Sequence, residues 1–161
     1  MRSFVSWCGF VAAFLSLVVA DGFAAERTLN VSGVPVTLQD LSGEVDVFYS
    51  AMRLNRSINA WNVEVTIRNK GTRELNGPFA LYIEGVTGTS GLIQPDAMDG
   101  THAYFDLGNF VTNALLAPTQ TSAPRTLTLG NNGGTPQLNP RVYGNPQAAS
   151  GYALALNRSL N

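Results

Sequence analysis

Apolar and polar residues alternate with period two along most of this chain. The clearest run is Trp61–Arg68, where Trp61, Val63, Val65 and Ile67 alternate with Asn62, Glu64, Thr66 and Arg68. Neighbouring side chains of an extended strand point to opposite faces, so this run predicts a strand with one face in a core. Val45, Val47, Tyr49 and Ala51 alternate in the same way with Asp46, Phe48 and Ser50. Further strands are expected at Phe79–Ile83, Ala103–Phe105 and Arg125–Leu129, and a last one at Gln137–Tyr143, weakened by Pro140. Ahead of them, Thr28–Val31 and Val34–Leu38 flank Ser32-Gly33 and read as a hairpin, with Pro35 placing the second arm on an edge. Leu41-Ser42-Gly43 separates that hairpin from the main body. Asn69-Lys70-Gly71 and Asn131-Asn132-Gly133-Gly134 supply turns. Residues 86–101, rich in Gly, Thr, Ser and Asp, read as a loop, and Tyr152–Leu160 fits a short strand or a helix. Beyond residue 25 no apolar stripe of helical spacing lasts three turns. Roughly six to eight short strands between regular turns predict an all-β sandwich or barrel.

The first residues follow another pattern. Arg2 precedes an almost unbroken apolar run from Phe4 to Ala20, and Gly22-Phe23-Ala24 puts small residues where a signal peptidase needs them. Residues 1–24 are therefore expected to be a signal helix cleaved after Ala24, the alternative being an uncleaved membrane anchor. The expected organisation is a signal peptide at 1–24, a hairpin extension at 25–44, a β-sandwich domain at 45–146 and a further segment at 147–161.

Composition narrows the function. Charged residues make up 13% of the 161, and the formal net charge is −1, which gives no basic surface for nucleic acid. The one cysteine, Cys8, lies in the export segment, so the exported chain has neither a disulfide framework nor a thiol nucleophile. The expected location is outside the cytoplasm: extracellular, cell surface or periplasm. Contact with a membrane is expected only through the signal segment, if it is uncleaved.

Val65-Thr-Ile-Arg-Asn-Lys-Gly71 resembles the strand and turn of bacterial secreted fibronectin-type-III-like and cell-adhesion-related immunoglobulin-like domains. Leu75-Asn-Gly-Pro78-Phe-Ala-Leu81 is similar to a further strand of that group, and Leu116-Ala-Pro118 to the turn before another, with Thr119 where glycine is usual. The resemblance covers Val45 to Gly144. It implies an immunoglobulin/fibronectin-III-like sandwich of about seven strands. It implies no reaction.

Candidate chemistry is sparse. His102 is the only histidine, and no G-x-S-x-G elbow accompanies it. Asp96, Asp99 and Asp106 cluster around a Gly-rich loop as oxygen ligands suited to calcium, though their spacing matches no EF-hand and such residues ordinarily make turns. Glu64 and Glu84 fall on strands, where solvated faces account for them. Tyr82, His102 and Tyr104 are the residues expected at a contact surface, Tyr82 and Tyr104 as an aromatic platform for a sugar. No cofactor is expected apart from the calcium candidate.

The expected function is that of a non-enzymatic exported interaction or structural module of the cell surface or extracellular matrix. Contact runs through sheet edges and through the 86–102 loop with the hairpin, to a protein or a surface glycan. The alternatives are a carbohydrate-binding module and a filament subunit that self-associates by strand exchange. Leu54-Asn-Arg-Ser-Ile-Asn59 returns almost unchanged as Leu156-Asn-Arg-Ser-Leu-Asn161. The echo fits the start of a second repeat, a strand donated to a neighbouring copy, or coincidence.

Overall fold

The computed structural model describes residues 25–145. The signal peptide and the readings of Tyr152–Leu160 lie outside them. The described chain is all-β: β1 (Glu26–Val31), β2 (Val34–Asp40), β3 (Val45–Asn55), β4 (Ala60–Asn69), β5 (Leu75–Thr87), β6 (Leu92–Ile93), β7 (Ala97–Asp99), β8 (His102–Asp106), β9 (Leu115–Leu116), β10 (Arg125–Gly130) and β11 (Gln137–Asn145), with two single 3-10 turns between β8 and β9. A seven-stranded sheet runs β1-β2-β11-β5-β8-β7, with β9 also paired to β5, and a four-stranded sheet runs β3-β4-β10-β6.

The two sheets face each other as a sandwich. β4 behaves as its alternation requires: Val63, Val65 and Ile67 are buried and meet Phe79, Leu81, Ile83, Phe105 and Val142 of the larger sheet in the main core. Asn69 ends β4 fully buried, with every polar atom used. Its side-chain amide donates to the carbonyls of Arg73 (2.7 Å) and Leu116 (2.8 Å), and its side-chain oxygen accepts from the N–H of Gly71 (2.8 Å).

The larger sheet has a second buried face. Ala80, Tyr82, Tyr104 and Tyr143, which alternate with the main-core residues of β5, β8 and β11, pack against Leu29, Val31 and Leu38 of the hairpin. The β1–β2 hairpin thus folds over the outside of the sheet whose edge it extends. Ser32 and Gly33, both at positive φ, form its two-residue turn, the backbone that a tight hairpin needs. Pro35 pairs with Asn30 of β1, while β11 meets β2 only at Gln39 and Asp40, so the outer side of Pro35 has no strand beside it. Gly144 lets the layers close: a Cβ there would stand 2.5 Å from Leu41 and 3.1 Å from Phe79. Leu41, expected to divide hairpin from body, is buried in the main core. Pro140 is accommodated by an irregularity in register between Asn139 and Pro140.

Residues 86–101 are not a plain loop. They cross between the sheets, lending β6 to β10 of the smaller sheet and β7 to β8 of the larger one. The sandwich is closed on that side. On the other side the smaller sheet ends at β3, which among the described residues pairs only with β4.

Candidate interaction surface

The expected contact loop and the hairpin do meet. Arg27 of β1 bonds to Asp99 of β7 and donates to the Tyr82 hydroxyl (2.9 Å), its guanidinium carbon 4.5 Å from the Tyr82 ring centre. The Tyr82 hydroxyl donates in turn to Asp99 (3.2 Å). The hydrogen bond from Arg27 holds the Asp99 carboxyl below its ordinary range, aided by Tyr82 and opposed by burial. Tyr104 donates its hydroxyl to the Asn30 carbonyl (3.0 Å) and accepts the Asn30 N–H (2.9 Å). His102 stacks on Tyr82 with ring centres 5.5 Å apart.

These contacts alter the expected roles. Tyr82 and Tyr104 are 1% and 2% exposed, so neither offers a ring to a ligand. The hairpin covers the face on which both stand. Of the three, His102 alone keeps partial exposure. The aspartates are divided as well. Asp99 is engaged with Arg27, whereas Asp96 accepts from Arg125 (2.6 Å) and from the Asp106 N–H (2.7 Å). Asp106 accepts from the Gly108 N–H (2.7 Å) and the Ser32 hydroxyl (2.6 Å). Among the described residues no three His, Cys, Asp or Glu stand together as a metal shell. Glu84 bonds Arg141 (2.6 Å), while Glu64 sits half-buried in β4 opposite Ser50 of β3 and Thr126 of β10.

The concave surfaces among the described residues include a groove of about 280 Å³ lined by Ile83, Val86, Leu92, Met98 and His102, and two others. A polar cleft of about 840 Å³ is lined by Asn30, Ser32, Asp96, Asp106, Asn109 and Arg125. Arg125 lies against Phe105 and Phe110, 5.0 and 5.4 Å from their ring centres. The second is an apolar groove of about 240 Å³ between β3 and the start of β11, lined by Tyr49, Met52, Pro136, Gln137 and Leu138. Burial along it pushes the Tyr49 phenol up to about 12.

β3 itself stands out. From Phe48 to Leu54 its side chains are exposed, and among them Phe48, Tyr49, Met52 and Leu54 are large and apolar, followed by Ile58 in the next turn. Phe48 and Tyr49 stand on opposite faces by alternation, and the register shift between Ser50 and Arg53, where Ala51 takes a positive φ, brings Met52 and Leu54 to the Tyr49 side. The edge was not singled out from sequence, although apolar residues at both parities, Phe48 beside Tyr49, were a readable sign of it.

No protein-family model matches the chain, and no curated protein sequence matches it. Fold and surface together define an all-β protein of two packed sheets, compatible with a β-sandwich, with one apolar edge.

Proposed function

We propose that this chain is an exported, non-enzymatic interaction or structural module of the cell surface or an extracellular assembly, and that it works by contact through the β3 edge. Its sandwich is of the immunoglobulin or fibronectin-type-III-like kind. The observation that supports this reading is β3: an edge with no second partner strand among the described residues, with Tyr49, Met52 and Leu54 on one face beside an apolar groove and Phe48 exposed on the other. An edge strand of this sort recruits an extended partner segment, whose backbone supplies affinity and whose alternate side chains enter the groove. The apolar run before Gly22-Phe23-Ala24 supports export. The polar cleft favours a second reading, a glycan site, since Asn, Ser and Asp side chains there match sugar hydroxyls.

A photo-crosslinking amino acid at Phe48, compared with one at exposed Thr126 of β10, tests the edge in the producing cells. Adducts heavier than the protein, formed from position 48 and not from 126, are the expected result. Adducts at neither position, or equally at both, would remove the edge reading. Binding of oligosaccharides on an array, lost in Asn109→Ala with the β3 adducts absent, would put the glycan reading in its place.

A further inference from the structure

We infer that the partner of the β3 edge is a second copy of this chain, the two β3 strands lying antiparallel about a two-fold axis at Tyr49, so that Asp46 of each copy meets Arg53 of the other. The inference rests on the edge-contact reading and names the partner.

The two faces of β3 set what can lie beside it. Asp46, Phe48, Ser50 and Arg53 stand opposite Arg68, Thr66, Glu64 and Asn62 of β4, on the outer face of the smaller sheet. Val45, Val47, Tyr49 and Leu54 stand opposite Asn69, Ile67, Val65 and Trp61, on the inner face. Met52 joins Tyr49 there, in the apolar groove. Between Ser50 and Arg53, two residues of β3 face one of β4.

Opposite residues of an antiparallel pair share a face of the sheet, so outer residues must meet outer ones and inner must meet inner. A second copy with its axis at Tyr49 meets this condition at every step. Phe48 faces Ser50 of the second copy, Val47 faces its Ala51-Met52 irregularity, Asp46 faces its Arg53 and Val45 faces its Leu54. The irregularity again takes two residues against one, as it does with β4. A slide of one residue sets inner side chains against outer ones. A slide of two, in either direction, sets Asp46 against Ser50 or Asn55 and takes it away from Arg53.

The charges on this edge suit that register. Arg53 is exposed and has no carboxylate partner among the described residues. Asp46 is bonded to Lys70 through one carboxylate oxygen (3.0 Å), and its other oxygen can accept from a second cation. The two-fold axis makes each match occur twice. On the inner face, Tyr49, Met52 and Leu138 of one copy adjoin the same residues of the other, and the two four-stranded sheets become one. An unrelated partner would have to supply this order of acidic, aromatic, small and basic residues; β3 supplies it itself.

Charge reversal tests the register in the exported full chain, with mass followed by light scattering over a dilution series. The expected result is a dimer for the unaltered chain. Asp46→Lys and Arg53→Glu each turn two attractions into two repulsions, and each alone should weaken the dimer about tenfold or more. Mixed in equal amounts, the two variants should regain it, because every contact between unlike copies is again between opposite charges. Arg53→Gln, which only removes the charge, should weaken the dimer by a smaller factor. A chain that stays monomeric up to about 1 mM would overturn the inference. So would a dimer that survives both reversals, since it is held elsewhere, or a mixture that does not recover. Adducts from position 48 at twice the mass of the chain are expected. Adducts of other masses from a monomeric chain would leave the edge-contact reading standing without the second copy, and no adducts would remove both.

Discussion

β5 and β3 are both long strands, and the chain treats them in opposite ways. β5 is covered on both faces: Phe79, Leu81 and Ile83 face the smaller sheet, while Ala80 and Tyr82 face the hairpin. It is also paired along both edges, to β11 and β8. Among the described residues β3 has one paired edge and, beyond Val45 and Val47, little cover on either face. Burial of apolar area is the main stabilising term in folding, at about 25 cal/mol per Å². The stability of the protein is thus concentrated around β5, and β3 is left as a surface whose apolar residues serve something other than the core. The hairpin makes the difference sharper. It adds a third layer to the sheet that already has the larger share of strands and nothing to the one with a bare edge.

Core truncations should separate the two regions most strongly. Leu81→Ala opens a cavity in the main core and Leu38→Ala opens one under the hairpin, where Leu38 is fully buried. Each is expected to cost about 2–5 kcal/mol in urea unfolding. Met52→Ala and Phe48→Ala, on β3, should cost under about 0.5 kcal/mol. The comparison fails if Leu38→Ala leaves the unfolding midpoint unchanged, because the hairpin would then be a loosely attached flap. It fails from the other side if Met52→Ala costs as much as Leu81→Ala.

What the sequence revealed follows the same division. β4 was legible because it has one buried face, and one buried face writes period two into the residues. Phe79-Ala80-Leu81-Tyr82-Ile83 is an unbroken apolar run, the mark of a strand buried on both faces. Tyr82 and Tyr104 were nonetheless expected at a surface, since an ordinary two-layer sandwich leaves the outer face of a sheet wet. The hairpin was visible as a hairpin, but nothing local to residues 26–40 tells where it folds back. Arg27 finds Asp99 at a separation of 72 residues, and no spacing rule reaches that far. β6 and β7 were hidden for a different reason. Strands of two and three residues are too short to show a period, and their Gly, Ser and Asp neighbours read as loop.

Acid should loosen the hairpin more than the β3 side of the sandwich. Asp99 is held below its ordinary range by Arg27, and Glu44, beside the start of β3, by Arg73. A carboxylate whose folded pKa is depressed adds stability that is complete above its unfolded value. That stability is lost as pH falls through the folded value, here below about pH 4. Both pairs are partly exposed, so each is worth under about 1 kcal/mol. The Asp99 pair ties β1 to β7, across the layers, whereas the Glu44 pair joins two local turns. Asp99→Asn should therefore speed amide exchange in β1 at neutral pH and flatten the acid limb of the stability curve. Equal effects of Asp99→Asn and Glu44→Gln on β1 exchange would show that the hairpin is held by its apolar face alone.

The smallest effect is expected at Trp61, where the two regions meet. Trp61 packs against the main core and pairs with Leu54 near the end of β3. Its indole N–H is buried and has no hydrogen-bond partner among the described residues. A buried donor left unpaired costs about 1–3 kcal/mol. Trp61→Phe removes that donor along with part of the ring, and the two changes oppose each other. The expected change in unfolding free energy is within about 1 kcal/mol, against about 3–5 kcal/mol for an ordinary truncation of a core aromatic to alanine. A loss above about 2 kcal/mol would mean that the N–H is paired in solution. The partner would then be a water.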